Sequence, residues 1–202
     1  MDPPARTANE GLHVVLLAAG KATRFGSPKQ LAIVGGRTML ARALDAATSL
    51  ANDRGDAVTV VLGAYADRLT AIARESPVTI AVNADHREGI ASSIRVGVAG
   101  TPSSARGVLI LLADQVAVTL DDLRRLVARW EQEPSLIVAA DHGGSIGAPA
   151  IFPRELFPEL LALRGDRGAR GLMLRHADRL ATVTMPSASS DVDTPAELSS
   201  ES

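Results

Sequence analysis

Two lysines stand in one glycine-punctuated loop that directly follows the first apolar run of the chain. Of the 21 basic residues in the 202-residue sequence, only Lys21 and Lys29 are lysines, and Arg24 lies between them. Lysine carries a compact, strongly hydrated point charge, whereas the arginine guanidinium is a planar fork. A glycine-rich turn that carries such charges at the end of a strand is typical of phosphate binding.

The spacing of this loop excludes two common phosphate motifs. Pro28 rather than glycine precedes Lys29, so the loop is not a Walker loop, and its glycines do not follow the pattern Gly-x-Gly-x-x-Gly. Small residues at 18–20 let a ligand approach the backbone, where exposed N–H groups can receive phosphate oxygens. Arg24 and Lys29 would neutralise a polyphosphate from two sides. The alternative is an ordinary surface loop with solvated charges, which the two glycines and three cations disfavour.

Asp114 is the second position that could do chemistry. It is the first charged residue after the apolar run 108–113. In an open α/β sheet, ligands bind beyond the carboxyl ends of the strands. A carboxylate placed there, opposite a phosphate loop, would hold Mg²⁺ through its oxygens. The alternative is an aspartate that simply ends the strand in a turn, and the residue type alone favours neither interpretation.

Two further carboxylates, Asp191 and Asp193, lie near the end of the sequence. The residues after them form a helix start, with Thr194 as the cap, Pro195 at the first helical position and Glu197 closing a capping box. Capping requires neither aspartate, so both remain available to a metal ion. The sequence leaves open which of the two would bind it.

Strands and helices must alternate along the chain to position these residues. Apolar runs predict strands at 13–18, 58–62, 78–82, 108–113, 136–140, 150–152 and 180–184. Helical periodicity and caps predict helices at 38–50, 64–74, 92–98, from Thr119 onward, at 154–163 and at about 169–176, with a loop at 187–190. This alternation predicts an α/β fold with three α/β/α layers, Rossmann-like, around a mostly parallel sheet. We expect residues 12–202 to form this single domain after a tail over 1–11.

Composition narrows the class of protein further. Hydrophobic residues make up 46% of the sequence and aromatic residues only 2%, so the core must consist of Val, Leu, Ile and Ala. A net charge of −2 gives no footprint for nucleic acid, and the absence of cysteine excludes disulfides and thiolate metal sites. The apolar runs are too short to span a bilayer, and the first ten residues lack the apolar stretch of a secretory signal. We therefore expect a cytoplasmic protein that binds no membrane.

The histidines and the single tryptophan carry no chemical signature of their own. None of the histidines shows metal-ligand spacing, so each is expected at the surface or in a loop: His13, His86, His142 and His176. Trp130 shares one helical face with apolar residues and is expected to pack in the core.

Taken together, the motifs resemble one family. The loop 16–29, the pair Asp114-Gln115 and the tail motif 191–195 look like those of the cytidylyltransferases and guanylyltransferases of molybdenum-cofactor maturation, the MobA-like nucleotidyltransferases. The stretches 83–98, 147–152 and 165–170 add to the resemblance, which covers about residues 12–198 with its motifs in the expected order. The cytidylyltransferase branch is the more similar, because guanylyl-transferring relatives usually have glycine where Ala19 stands. The resemblance implies a fold of the nucleotide-diphospho-sugar transferase type.

The resemblance also implies a reaction. A phosphate of an acceptor would attack the α-phosphorus of a nucleoside triphosphate and release pyrophosphate. Arg24 would hold the β- and γ-phosphates and Lys29 the α-phosphate, while Asp114 and Asp193 would hold Mg²⁺. The catalytic residues implied are thus Arg24, Lys29 and Asp114. No side chain has to act as a nucleophile, so catalysis would come from placement and electrostatics.

The resemblance assigns binding residues on both sides of the reaction. The nucleotide-binding residues implied are Leu17, Ala18, Ala19, Gly20, Arg24, Lys29, Asn83 and Ser93. The acceptor-binding residues implied are Gly147, Pro149, Asp166, Arg167 and Arg170. CTP is the favoured nucleotide and molybdopterin the expected acceptor, and the resemblance also allows for a molybdoenzyme as a partner. The stretch 165–170 has an alternative interpretation as the turn at a helix N-terminus.

Two departures from the family pattern bear on the acceptor. Val116 stands where the family commonly has proline, which should alter a turn more than the chemistry, and Ala148 stands where it often has histidine. The acceptor therefore stays open between molybdopterin and a sugar or polyol phosphate. A non-catalytic nucleotide-binding accessory protein of molybdoenzyme maturation is the other alternative. Two separated metal carboxylates disfavour it, because simple binding does not need them.

Overall fold

The computed structural model describes residues 11–20 and 28–189 of the chain. The strands are β1 Leu12–Ala18, β2 Ile33–Val34, β3 Arg37–Thr38, β4 Ala57–Leu62, β5 Thr79–Val82, β6 Gly107–Leu112, β7 Ile137–Asp141, β8 Ile146–Pro153 and β9 Leu180–Thr184. The α-helices are α1 Met39–Asn52, α2 Ala66–Ala73, α3 Ile90–Ala99, α4 Leu120–Gln132, α5 Phe157–Leu161 and α6 Arg170–Arg175. Short 3-10 helices lie at Lys29–Leu31, His86–Glu88, Arg154–Leu156, Ala177–Arg179 and Pro186–Ser189.

The main sheet has seven strands in the order β5-β4-β1-β6-β8-β7-β9. Its pairs are parallel except for β8, which runs antiparallel to both β6 and β7. The strands β2 and β3 form a separate antiparallel hairpin. The predicted α/β fold with a mostly parallel sheet is therefore confirmed. None of the helices in the described ranges is long and apolar enough to cross a membrane.

Two apolar layers cover the two faces of the sheet, and β1 supplies both. Val14 and Leu16 point into the layer formed with α1, α2 and α4, whereas Val15 and Leu17 point into the layer formed with α3, α5 and α6. This alternation buries the whole of β1, as its continuous apolar run predicts. On the α3 side, a Cβ at Gly97 would overlap the side chain of Val15. The absence of a side chain at 97 therefore lets α3 lie directly on the central strand.

Local capping signals place two helices as predicted. Thr38 caps α1 by accepting a hydrogen bond from the Ala41 N–H at 3.2 Å. Thr119 and Asp122 form a complete capping box at the start of α4. Trp130 lies on the buried face of α4 with 2% of its surface exposed, so its predicted role in core packing is confirmed.

Other boundaries differ from the prediction. Helix α3 begins at Ile90 rather than at Ser92, because Gly89, with φ at +119°, turns the chain directly into the helix. The predicted strand at 150–152 is longer, because β8 already pairs with β7 at residues 146 and 147 and then with β6 from residue 150 to residue 153. The predicted loop at 187–190 begins as a 3-10 helix, Pro186–Ser189. The predicted helix after Thr194 lies outside the described residues.

His13 is buried, so the prediction of a surface position is wrong. It occupies the second position of β1, between β4 and β6, with 4% of its surface exposed. Its Nε2 lies 2.9 Å from the Oγ1 of Thr59 on β4. Burial lowers the pKa of His13 to about 4, because desolvation disfavours the charged imidazolium. The histidine is therefore neutral at physiological pH.

This burial predicts a pH-dependent stability. The pKa of a histidine in an unfolded chain is about 6.5. Between that pH and the lower pKa of the folded state, the unfolded chain binds a proton at His13 and the folded chain does not. The free energy of unfolding should fall between about pH 6.5 and pH 4, by up to about 3 kcal/mol from this group. Urea unfolding of the wild type and His13→Gln, at several pH values in that window, measures the difference. The free energy of unfolding of the variant should depend less on pH in this window. The same pH dependence in the two proteins would show that His13 is not its cause.

Candidate functional site

A cleft of about 410 Å³ opens at the edge of the sheet where the parallel strands end. Its walls come from the ends of β1 and β6, the 3-10 helix Lys29–Leu31, the start of α1, the segment 86–93 and the loop before α6. Segments far apart in the sequence thus meet at one place. The site can be built up from the charged residues at its base.

Lys29 and Asp114 form an ion pair in this cleft. Their Nζ and Oδ2 atoms lie 2.6 Å apart, and the two side chains are 17% and 26% exposed. The short helix Lys29–Leu31 presents the lysine, and the turn after β6 presents the aspartate. The structure therefore brings together the two charged residues that the sequence separates by 85 positions. Partial burial strengthens such a pair relative to one in bulk water.

The end of β1 forms the adjoining wall. The predicted nucleotide-binding residues that line the cleft in the described ranges are Leu17, Ala18, Ala19, Gly20, Lys29 and Ser93. Gly20 is exposed, and a Cβ there would have no heavy atom within 4 Å. A Cβ at Gly63, in contrast, would lie 2.7 Å from the Cβ of Ala19. Ala19 is therefore packed tightly on the β4 side, whereas Gly20 leaves space at the cleft.

Asn83 lies behind the cleft and is not one of its lining residues. It is 2% exposed, and its Nδ2 donates to the Oγ of Ser92 at 2.8 Å and to the Oγ of Ser93 at 3.0 Å. Its Oδ1 accepts from the Asp85 N–H at 3.0 Å. Ser93 does line the cleft. Asn83 therefore orients the serine that can contact a ligand.

Two residues of the cleft wall, His86 and Arg87, were not predicted as site residues. His86 was expected at the surface or in a loop. It is half-buried in the short 3-10 helix His86–Glu88 and packs beside Gly63, where a Cβ would lie 2.8 Å from the His86 Cβ. Its Nδ1 is buried and makes no hydrogen bond within the described residues. Arg87 brings a cation to the same wall. Proximity to Asn83 and Ser93 in the sequence was the signal that could have identified both.

The predicted acceptor-binding loop reaches the cleft through Asp166. The Asp166 carboxylate packs so closely on Gly89 that a Cβ at 89 would overlap its Oδ1. The Gly165 carbonyl accepts from the Ala91 N–H at 3.1 Å. The loop before α6 is therefore fixed against the start of α3.

A second contact holds this loop from the other side. Arg95 on α3 donates to both carboxylate oxygens of Glu88, at 2.7 and 2.5 Å, and to the carbonyl of Leu163 at 2.7 Å. These hydrogen bonds from Arg95 lower the pKa of Glu88 to about 2. Glu88 is therefore ionised at neutral pH and keeps Arg95 in place. We call Glu88, Arg95 and Leu163 the brace.

The other predicted acceptor-binding residues lie elsewhere. Arg167 and Arg170 are exposed and are not among the residues that line the cleft. Gly147 and Pro149 belong to β8, around a cis bond between Ala148 and Pro149. Neither of them lines the cleft, although the neighbouring Ala148 carbonyl accepts a hydrogen bond from Gln115 at 2.9 Å.

The predicted metal site can be tested only at Asp114. Arg24, Asp191 and Asp193 lie outside the described residues. Over 11–20 and 28–189, no group of three or more His, Asp or Glu residues could hold a metal ion. Mg²⁺ commonly binds one or two carboxylates together with waters and substrate phosphates rather than a protein cage. The single carboxylate of Asp114, beside a loop suited to phosphates, fits that kind of donor set.

The sheet and the cleft define an α/β protein whose cleft lies at the carboxyl ends of the strands, where open α/β sheets bind their ligands. Comparison with known families makes the class more specific. The MobA-like NTP transferase domain matches residues 14–180, and the chain belongs to this family of nucleotidyltransferases. The resemblance found from the motifs is thereby confirmed.

Curated relatives come from several kinds of protein. The chain is 31% identical to the purine catabolism protein PucB of Bacillus subtilis over 192 residues, which are 91% of this chain and 92% of that protein. It is 32% identical to nicotine blue oxidoreductase of Paenarthrobacter nicotinovorans over 77% of this chain and 78% of that protein. The bifunctional protein GlmU of Rhodococcus opacus is 37% identical over 65% of this chain, which spans only 26% of GlmU.

Solved structures show the same architecture. Rv0371c from Mycobacterium tuberculosis H37Rv has a TM-score of 0.75 and 29% identity, covering 96% of this chain and 98% of that chain. A second structure of Rv0371c, in complex with manganese, has a TM-score of 0.73 and 29% identity, covering 94% and 97%. A nucleotidyl transferase from Methanothermobacter, at 22% identity and a TM-score of 0.77, covers 92% and 93% and shows the same fold.

The contact between Gly89 and Asp166 predicts a sensitive position. Gly89→Ala would place a side chain at a positive φ and against the Asp166 carboxylate. It should lower the free energy of unfolding by about 1–3 kcal/mol and displace the loop at 165–166. Gly100→Ala is the control, because Gly100 has a negative φ and a Cβ there would meet only ordinary contacts at 3.6 Å. Urea unfolding compares the two variants, and equal losses of stability would show that Gly89 is not constrained by Asp166.

Proposed function

We propose that the protein transfers a nucleotidyl group from a nucleoside triphosphate to a phosphate of a small acceptor and releases pyrophosphate. One observation carries the proposal: Lys29 and Asp114 meet at 2.6 Å in a cleft beside the end of β1, within a chain that belongs to the MobA-like family. A cation and a carboxylate at one point suit a metal-bound triphosphate. Neither group is needed to bind a neutral ligand.

The reaction places few chemical demands on the protein. An oxygen of the acceptor phosphate forms a bond to the α-phosphorus, while the bond from that phosphorus to the oxygen that bridges to the β-phosphate breaks. Pyrophosphate leaves with the bonding electrons. Lys29 would neutralise the charge that grows on the α-phosphate, and Gly20 would admit the phosphates close to the backbone. Catalysis then rests on alignment and electrostatic stabilisation.

Mg²⁺ is the metal proposed for this step, held by Asp114 and, in the part of the chain beyond the described residues, by Asp193 or Asp191. Bound there, it would supply positive charge to the triphosphate. The manganese complex of Rv0371c supports a divalent cation in a related protein. Because Lys29 pairs directly with Asp114, the ion pair has to open when nucleotide and metal enter. Lys29 would then contact the α-phosphate, and Asp114 would contact the metal ion. Arg24 is proposed to hold the β- and γ-phosphates.

CTP is the nucleotide we propose. The support is the resemblance to the cytidylyltransferase branch. This chain has Ala19 at the position where guanylyl-transferring relatives usually have glycine. Ala18, Ala19 and Ser93 all line the cleft and are available to a base and ribose.

Molybdopterin is the acceptor we propose, with a molybdoenzyme as the recipient of the product and the cytoplasm as the setting. The support is the motif resemblance over about 12–198, together with a cleft wall that offers Arg87 to an anionic group and Asp166 to hydrogen-bond donors. Arg167 and Arg170 do not line the cleft, so we propose that they contact a part of the acceptor that extends beyond it. A sugar or polyol phosphate is the alternative acceptor, because Ala148 stands where the family often has histidine.

Pyrophosphate release tests this function directly. The protein is incubated with Mg²⁺ and each of CTP, GTP, ATP and UTP, with molybdopterin or a sugar phosphate as the acceptor. CTP with molybdopterin should give the fastest release, and thermal stabilisation by each triphosphate gives an independent ranking. Stabilisation by a triphosphate without release for any acceptor would favour the non-catalytic accessory protein. Release without any preference for CTP would refute the choice of nucleotide.

Lys29→Ala tests the electrostatic role of the ion pair. Turnover should fall by about 10²–10³-fold, because the charge on the α-phosphate loses its partner in the transition state. The fold should remain, since the pair is partly solvated. Steady-state kinetics measures the loss, and Arg37→Ala is the matched control because it breaks the exposed Arg37–Asp45 ion pair, away from the cleft. Turnover equal to that of the control would remove Lys29 from the mechanism.

Asp114→Asn tests the metal site. The substitution keeps the shape of the side chain but removes the negative charge that Mg²⁺ requires. Binding of CTP should lose its dependence on Mg²⁺, whereas metal-free binding should be retained. Calorimetric titration of CTP with and without Mg²⁺ gives both values. An unchanged response to Mg²⁺ would show that Asp114 does not hold the metal.

A further inference from the structure

Each member of the ion pair is followed in the sequence by a buried glutamine. Gln30 follows Lys29 and is 4% exposed, and Gln115 follows Asp114 and is 8% exposed. Glutamine is rarely buried unless its amide is hydrogen-bonded. The two amides therefore have to find partners inside the protein, and both find them on other segments of the chain.

Gln30 ties the lysine to the end of β1. Its Nε2 donates to the carbonyl of Ala18 at 3.2 Å and to the carbonyl of Gly20 at 3.1 Å. A carboxamide has two N–H hydrogens, and here each has its own acceptor. The 3-10 helix that begins at Lys29 is thus fixed to the loop proposed to bind the phosphates.

Gln115 ties the aspartate to two other segments in the same way. Its Nε2 donates to the carbonyl of Ala148 on β8 and to the carbonyl of Ala188 in the 3-10 helix after β9, both at 2.9 Å. The turn that carries Asp114 is thus fixed to the first half of β8 on one side and to the segment 186–189 on the other. The chain continues from that segment to Asp191 and Asp193.

The amide oxygens indicate what the glutamines do. In both residues the Oε1 is buried and has no hydrogen-bond partner within the described residues. An unsatisfied buried oxygen costs about 1–3 kcal/mol, which offsets much of what the two N–H bonds contribute. A methionine of similar length would fill the space without that cost. The carboxamides therefore contribute fixed positions more than net stability.

We infer that Gln30 and Gln115 are positioning residues that set the two sides of the Lys29–Asp114 pair independently. Gln30 fixes Lys29 relative to the phosphate-binding loop, and Gln115 fixes Asp114 relative to β8 and the segment 186–189. This inference rests on the proposed nucleotidyl transfer. It goes further because it divides the site into a nucleotide side and a metal side, each with its own anchor.

Methionine substitutions test the division. Gln30→Met should raise KM for the triphosphate about tenfold and leave the Mg²⁺ concentration for half-maximal rate unchanged, because only the phosphate side loosens. Gln115→Met should raise that Mg²⁺ concentration and lower kcat, each about tenfold, with KM for the triphosphate little changed. Gln132→Met is the matched control, because Gln132 is an exposed glutamine at the end of α4.

Amide hydrogen exchange gives a readout that does not depend on turnover. Gln30→Met should speed exchange in the segment 17–20, and Gln115→Met should speed it in 146–149 and 185–189, with the rest of the sheet unchanged. The control should match the wild type throughout. This pattern would support separate anchors even if the wild type proved inactive, in which case only the proposed function fails.

Any of four results would overturn the inference. Wild-type kinetics in both methionine variants would show that the amides do not position the pair. Equal changes in every kinetic constant for the two variants, or faster exchange spread over the whole sheet in either one, would indicate a general structural role. A swap of the two patterns, with Gln30 affecting Mg²⁺ and Gln115 the triphosphate, would also contradict it.

Discussion

The contact between Lys29 and Asp114 is the constraint on which the site depends. Opposite charges 2.6 Å apart stabilise one another only if the backbone holds both side chains at the same point. The sheet contributes to this because β1 and β6 are parallel neighbours, so both strands end at the same edge of the sheet. The pair brings two opposite, partly buried charges together at the cleft. In the proposed function, a metal-bound triphosphate would offer each of them a new partner.

Close backbone packing supplies the rigidity that such a site needs. With few aromatic residues, the core consists mainly of aliphatic side chains on both faces of β1, with Trp130 in one layer and Phe152 and Phe157 in the other. Gly97 brings α3 onto Val15, and Gly63 brings β4 against Ala19. The loop that lines the cleft therefore stands on a tightly packed base. The packing at Gly97 and Gly63 therefore contributes to the positions of the site residues, in addition to the hydrogen bonds and ion pair that those residues make.

The sequence predicted what local signals encode. The capping residues Thr38 and Thr119, the apolar run of β1 and the family motifs were sufficient for the elements, the layers and the class. Burial of His13 and the antiparallel pairing of β8 were missed, because both depend on which strands become neighbours. The structure places Asp166 in the cleft but leaves Arg167 outside its lining. Residue type gave no means of separating two adjacent charges in one loop.

The brace has a consequence for the shape of the cleft in this protein. Arg95 lies outside the cleft lining, yet it holds Glu88 beside one wall and the carbonyl of Leu163 beside the loop that carries Asp166. A change at this single helical position would shift one wall against the other and leave Lys29 and Asp114 in place. The relative position of the two walls, and with it the choice of ligand, is therefore open to adjustment by a residue that does not line the cleft.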